Sequence, residues 1–136
     1  TLSSSSAASD VYKRQLLLES VQNATDQSRV AAANICGKVI AYDVVPWFWS
    51  DQYEIKLQMV GLSDGFDELA IRGTPEVGSE NGFALFYLKD GVVIAADCVG
   101  RPKEFMLAKK LVKDRAAVTA LRLADESIEV AALIAV

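Results

Sequence analysis

The chain has 136 residues, 51% of them hydrophobic, and its net charge is −4 at pH 7. This length and composition indicate one globular domain with a hydrophobic core rather than a disordered chain. The acidic charge argues against a nucleic-acid partner, because binding to a phosphate backbone requires clustered basic residues. No apolar run approaches the roughly 18 residues of a membrane span and no signal peptide is recognisable, so we expect a cytoplasmic protein.

The residue types that are absent limit the chemistry further. The chain contains no histidine, which removes the commonest general base and the commonest zinc ligand. Cys36 and Cys98 match neither a CxxC redox pair nor a metal-ligand spacing, so we interpret them as small apolar residues in a reducing compartment. We predict no metal site and no catalytic side chain, and any reaction would depend on a cofactor or on carboxylates.

The first part of the chain divides into a leader and a helix. Residues 1–15 are rich in Ser and Ala, and we expect a disordered or artefactual leader. From Glu19 to Gly37, small and apolar residues recur at helical steps, with Ser20 as the cap and Gly37 as the left-handed end. The recurring face consists of Val21, Ala24, Ser28, Ala31, Ala32 and Ile35. Such a face allows close approach to another surface, and we assign residues 16–44 to the end of a different domain.

An aromatic segment, VPWFWSDQY, follows over residues 45–53. Two tryptophans flank a phenylalanine, and polar residues follow at once, so a core cluster and a ligand surface are both open interpretations. For Phe48 we favour a place in the core. Asp51 has no feature that indicates a catalytic acid.

The remaining sequence predicts strands and then helices. Ile55, Leu57 and Met59 alternate with polar residues, Leu69 and Ile71 begin another strand, and residues 83–99 form two β-rich runs around Asp90-Gly91, typical of a tight hairpin. Pro102 suits the first turn of a helix, and a last helix is predicted from Asp125 as its cap through Ala132. The predicted fold class is α+β: an antiparallel sheet flanked by C-terminal helices over residues 45–136, preceded by the Ala-rich helix.

Three stretches occur in a specific order: ESVQNA, then PWFWSDQY, then FALFYLKDGVVIAADCVGRPKEFMLAKKLV. On these stretches, over about residues 16–130, the chain resembles the C-terminal third of the FAD-dependent ferredoxin reductases, the family of putidaredoxin reductase and the dioxygenase ferredoxin reductase components. The resemblance implies electron transfer from NAD(P)H through FAD to a ferredoxin or rubredoxin that serves an oxygenase. No glycine-rich nucleotide fingerprint occurs in this sequence, so we expect a C-terminal fragment that lacks the FAD-binding domain and is inactive alone.

The resemblance also implies where FAD would contact this chain. The first turn of the helix would direct its backbone N–H groups and its positive dipole end toward the pyrimidine side of the flavin. The two indoles would cover the flavin ring and exclude water, with Trp49 nearest the electron exit. The residues assigned to FAD binding on this basis are Glu19, Ser20, Val21, Gln22, Asn23, Trp47 and Trp49.

For the iron–sulfur partner, the resemblance implies contacts at Arg29 and Trp49. Ala131 stands where the family is expected to have a further lysine, and Lys109, Lys110 and Lys113 are candidate substitutes. Two other functions stay open. The C-terminal domain could close the pocket and pair subunits into a homodimer, as in the related disulfide oxidoreductases, or it could be an unrelated small module that binds ligands through exposed aromatic residues.

Overall fold

A computed structural model describes residues 18–76 and 81–133 of the chain, so the leader predicted over residues 1–15 lies outside the described part. The Ala-rich helix is α1, five strands follow it, and two α-helices and a 3₁₀ helix end the described chain. The elements are α1 Val21–Ile35, β1 Trp47–Gln52, β2 Ile55–Gly61, β3 Glu68–Gly73, β4 Phe83–Lys89, β5 Val92–Val99, α2 Pro102–Asp114, α3 Ala120–Ala124 and the 3₁₀ helix Val130–Leu133.

The five strands form one antiparallel sheet in the order β1-β2-β5-β4-β3. The hairpin between β4 and β5 turns at Asp90 and Gly91, whose φ angles are 51° and 74°. Two successive positive φ values are what a two-residue type I′ turn requires, and Asp-Gly adopts them readily. The sequence prediction of this hairpin is confirmed.

The hydrophobic core lies between one face of the sheet and the helices α2 and α3. Phe86 and Cys98 of the sheet pack there with Phe105 and Leu111 of α2 and with Leu123 of α3, and all five side chains are buried. The opposite face of the sheet is half-exposed. The predicted α+β class, with an antiparallel sheet flanked by C-terminal helices, is confirmed.

The last predicted helix is wrong in its position. Helix α3 begins earlier, with Thr119 as its cap, and Asp125 follows its end. Asp125 instead accepts hydrogen bonds from the backbone N–H and the hydroxyl of Ser127, at 2.9 and 2.6 Å. Arg72 of β3 explains why no helix begins at Asp125. Its buried guanidinium donates to the carbonyls of Asp125 and Ile128 and holds this segment in a turn.

The aromatic segment forms β1, an edge strand that the sequence did not predict. Its side chains alternate, so Trp47 and Trp49 face α2 while Phe48 faces the other side of the sheet. Phe48 is 39% exposed, so its predicted place in the core is wrong. At the edge of the sheet, few neighbouring side chains are available to cover it.

Candidate functional site

The first turn of α1 is organised by Ser20. Its hydroxyl accepts a hydrogen bond from the N–H of Asn23 at 3.1 Å, and its carbonyl accepts one from Ala24 at 3.0 Å. The backbone N–H groups of Val21 and Gln22 lie outside this cap. A helix N-terminus with such donors favours negative charge, as the sequence interpretation requires.

Asn23 ties the residues before and after α1 together. Its side chain donates to the carbonyl of Leu18 at 2.8 Å and accepts from the hydroxyl of Tyr42 at 2.7 Å. Burial, and secondarily the charge of Asp26, raises the pKa of Tyr42. The side chain of Asn23 is therefore occupied in holding the linker against the helix.

Gln22 connects the same turn to the sheet. Its Oε1 accepts a hydrogen bond from the backbone N–H of Trp47 at 3.3 Å, and its Nε2 donates to Asp26 at 2.6 Å. Gln22 and Asn23 are the two buried residues of α1, each 7% exposed, although both are amides. Burial of amides is tolerated because they are hydrogen-bonded.

A groove of about 340 Å³ lies where the start of α1 meets the edge of the sheet. Two of its lining residues belong to β1, and three come from the turn before α1. The lining consists of Leu18, Glu19, Ser20, Pro46, Trp47, Phe48, Met59, Val60, Gly61, Leu62, Ser63, Ala95 and Asp97. The fold thus brings three of the predicted flavin residues, Glu19, Ser20 and Trp47, into one groove.

The other predicted flavin residues lie outside this lining. The side chains of Gln22 and Asn23 make the hydrogen bonds described above, and Val21 is 67% exposed. Trp49 lies beyond Trp47, and their rings stack with centroids 5.3 Å apart and an interplanar angle of 28°. Trp49 is 37% exposed. Both indoles lie on the α2 face of the sheet, whereas Phe48, Met59 and Asp97 of the groove lie on the opposite face, so Trp47 reaches the groove at the edge of the sheet and its ring packs against α2.

Lys109 of α2 completes the aromatic cluster. Its ammonium nitrogen lies 4.4 Å from the ring centroid of Trp47, within the range of a cation–π interaction. Phe105 holds the same indole from below, at 6.1 Å between centroids. The sequence did not pair these residues, because the contact exists only once α2 crosses the edge strand.

A second groove, of about 690 Å³, begins on the far side of Trp47. Its apolar part is formed by Val44, Val45 and Met106, and its basic part by three lysines of α2 that the sequence analysis named as candidate partner contacts. The lining consists of Asp43, Val44, Val45, Trp47, Met106, Lys109, Lys110, Lys113 and Asp114. The lysines are thus grouped beside the indole pair rather than spread over the surface.

Arg29, the other predicted partner residue, is on the exposed side of α1. Its guanidinium lies 3.6 Å from the carboxylate of Asp26, and 76% of its side chain is exposed. An ion pair this exposed contributes little to stability. The structure leaves Arg29 accessible from solvent.

Within residues 18–76 and 81–133, no group of three or more His, Cys, Asp or Glu side chains forms a metal site. In that same part of the chain, none of the helices combines the length and the apolar character that crossing a membrane requires.

Comparison with known proteins identifies the family. Residues 47–134, more than half of the chain, match the model of the family described as Reductase C-terminal. The chain belongs to the reductase C-terminal family. The match begins at Trp47, so β1 with its indole pair is the first element of the family domain, and α1 precedes that domain.

Individual relatives of this reductase C-terminal chain agree with the family match. The chain is 46% identical to putidaredoxin reductase of Pseudomonas putida over 93% of its own length and 29% of that protein's length. It is 50% identical to a ferredoxin–NAD(P)⁺ reductase of a Sphingomonas species over 74% of its own length and 24% of that protein's. Among solved structures, it is similar to putidaredoxin reductase in a covalent complex with putidaredoxin, with a TM-score of 0.80 and 46% identity, covering 93% of this chain and 30% of that one.

Proposed function

We propose that this chain forms the flavin-covering and partner-docking part of a reductase that passes electrons from NAD(P)H through FAD to a ferredoxin of an oxygenase system. The observation that carries the proposal is the groove in which the N-terminal turn of α1 meets Trp47. A helix start with backbone N–H groups outside its cap, next to a mainly apolar wall, suits the edge of a charged, planar ring. The chain spans less than a third of the relatives named above, so the activity of the whole reductase is part of the proposal.

The residues that line the groove fit one edge of a flavin. Its surface is mainly apolar, and a volume of about 340 Å³ suits one part of a ligand rather than the whole of FAD. When bound, FAD would supply the chemistry that this chain lacks, accepting a hydride and releasing single electrons. The N–H groups of Val21 and Gln22 would stabilise negative charge on the ring, and the apolar wall of the groove, which includes Phe48 and Met59, would exclude water from it.

The proposed docking surface starts at the exposed edge of Trp49 and includes Arg29. The lysines beside Trp47 support this placement, because a basic surface raises the encounter rate with an acidic partner. A rubredoxin as acceptor, assembly into a homodimer and a cytoplasmic location remain predictions from the sequence.

A chimera tests the proposal directly. In putidaredoxin reductase of Pseudomonas putida, the segment that this chain matches is replaced by the chain itself. We expect the purified chimera to retain FAD and to reduce putidaredoxin with NADH. The 136-residue chain alone, as the matched control, is expected to be colourless and unable to oxidise NADH.

Two results would contradict the proposal. One is a folded chimera that has lost FAD, since the groove would then not complete a flavin site. The other is an isolated chain that purifies with a flavin spectrum, since a self-sufficient flavin site would replace the shared site proposed here.

A further inference from the structure

The backbone N–H of Trp47 lies on the outer side of an edge strand. β1 is the last strand at one end of the sheet, and Trp47 pairs with Val60 of β2 on its inner side. At this level, the bond between the strands runs from the N–H of Gly61 to the carbonyl of Pro46. The N–H of Trp47 points away from the ladder to Gln22, 3.3 Å away. Gln22 therefore satisfies a donor that the sheet itself leaves unpaired.

The orientation of the Gln22 side chain is fixed from its other end. Its Nε2 donates to the carboxylate of Asp26 at 2.6 Å, one helical turn further along α1. A carboxylate accepts from the amide nitrogen and not from the amide oxygen, so this bond directs Oε1 toward Trp47. The residue as a whole is 7% exposed.

The contacts beyond Trp47 extend this connection to the second indole. The ring of Trp47 stacks on Trp49 at 5.3 Å, whereas the covalent route from α1 to β1 runs through residues 36–46, of which 36–44 are exposed and 45–46 are partly buried. Hydrogen bonds between Asn23 and Tyr42 and between Asn34 and Ile40 fasten this linker to α1, but none of these bonds reaches β1. The hydrogen bond from Trp47 to the buried, oriented side chain of Gln22 restricts the placement of β1 relative to α1 at one defined point.

We infer that Gln22 is a positioning residue that fixes the indole pair relative to the N-terminal turn of α1. Its side chain is hydrogen-bonded directly to the Trp47 backbone. This contact therefore sets the distance between the first-turn N–H groups and the two rings. The role of Gln22 in the reductase rests on the proposed function. There, Gln22 would keep the turn that contacts the flavin edge at a fixed distance from the indoles at the electron exit.

The variant Gln22→Met tests the inference in the full 136-residue chain. Methionine keeps the length and the apolar stem of the side chain but removes both hydrogen bonds. The matched control is Gln27→Met on the exposed side of the same helix. We expect the Trp47 amide to exchange with solvent roughly two- to tenfold faster in Gln22→Met, the scale of one net hydrogen bond.

The chain contains two tryptophans, so a second readout reports on the pair alone. Stacked indoles give a coupled circular-dichroism band, and we expect this band to weaken in Gln22→Met and to stay at the wild-type intensity in Gln27→Met. Equal exchange and an unchanged band in Gln22→Met would overturn the inference, as would equal effects in the control.

A rescue pair keeps the test decisive if Gln22→Met folds poorly. In Q22E, a new carboxylate faces Asp26 and repels it, so we expect fast exchange at the Trp47 amide. In Q22E/D26N, the new amide donates to the new carboxylate, whose second oxygen again accepts from Trp47. We expect the double variant to regain slow exchange, and a double variant whose Trp47 amide exchanges faster than in the Gln27→Met control would overturn the inference.

These readouts need no flavin, so they separate the inference from the proposed function. Wild-type exchange in every variant would remove the positioning role of Gln22 and leave the flavin proposal standing. Exchange as expected, together with a chimera that cannot hold FAD, would remove the flavin proposal and leave the positioning role in place.

Discussion

The two regions of the molecule differ in how many apolar side chains they bury. The body, residues 47–76 and 81–133, buries Phe86, Leu88 and Leu123 between sheet and helices. The arm, residues 18–46, buries the amides of Gln22 and Asn23 and leaves apolar residues such as Val21, Ile35 and Val39 exposed. The body is organised as a protein core, and the arm as a surface that is held in place by hydrogen bonds.

The two regions are therefore stabilised by different forces. Hydrophobic burial scales with apolar area and acts cooperatively across the body. Net hydrogen bonds contribute only about 1 kcal/mol each, so the arm can open locally without unfolding the body. Each prediction below tests whether the two regions respond separately.

The largest effect is expected from emptying the core of the body. Phe86→Ala removes a fully buried ring, and we expect the free energy of unfolding to fall by about 3–5 kcal/mol in denaturant titrations. Val21→Ala in the arm is the matched control, expected to change it by less than about 0.5 kcal/mol. Similar losses in both variants would show that the body does not depend on its apolar core more than the arm does.

The buried charges of the body should come next. Arg72 is 4% exposed and lies 3.5 Å from Glu104, which also pairs with Arg101 at 3.1 Å. Arg72→Met leaves Glu104 with one partner and frees the carbonyls of Asp125 and Ile128, so we expect a loss of about 3 kcal/mol.

Thermal unfolding of Arg72→Met and of the double variant R72M/E104M measures this effect. The double variant should recover part of the stability, because it also removes the buried carboxylate that has lost one of its two partners, while Arg101 keeps Glu126 at 2.8 Å. A single variant as stable as the wild type would show that this network does not hold the end of the body.

Helix caps provide a smaller and more local test. Ser20→Ala removes the cap of α1, and we expect the amides of its first turn to exchange roughly fivefold faster, corresponding to about 1 kcal/mol, without a change in the unfolding midpoint. Thr119 caps α3 in the body through the N–H of Arg122. Thr119→Ala should instead lower the midpoint itself. A lowered midpoint in Ser20→Ala would mean that arm and body unfold as one unit.

The smallest predicted effect depends on pH. Burial, and then the hydrogen bond to Asp97 at 2.8 Å, raises the pKa of Tyr87 from 10.0 to about 12. Between these values the unfolded chain loses the tyrosine proton while the folded chain keeps it, so stability falls as pH rises through this window.

Tyr87→Phe tests this dependence, since it removes the titrating group while keeping the ring against Phe66. We expect its stability to fall less steeply between pH 10 and 12 than that of the wild type. Burial also raises the pKa of Cys98 to about 12, which adds an equal decline to both proteins. Parallel slopes would show that Tyr87 does not contribute.

Local signals in the sequence were sufficient for several elements. Ser20 at the start of α1, Gly37 at its end and Asp90-Gly91 in the hairpin each determine the backbone within a few residues. Pro102 was likewise correct as the first residue of α2. In these cases the cause and its effect are neighbours in the chain.

The errors have distant causes. The turn at Asp125 is held by Arg72, more than fifty residues earlier, and the exposure of Phe48 follows from the edge position of β1. The stack of Lys109 on Trp47 depends on how α2 crosses the sheet. The sequence proposed the turn and the indoles as site residues, and these stay predictions. It could not distinguish residues that line the groove from those that connect its two sides, such as Gln22.

In the proposed function, the indole pair lies between a flavin and an iron–sulfur partner. The most direct test of this placement is Trp49→Ala in the chimera with putidaredoxin reductase, measured by NADH-dependent reduction of putidaredoxin and of a small artificial acceptor. The account predicts at least a roughly tenfold loss with putidaredoxin, the scale of an aromatic hot spot, and nearly unchanged reduction of the small acceptor. Equal loss with both acceptors, or loss with neither, would contradict it.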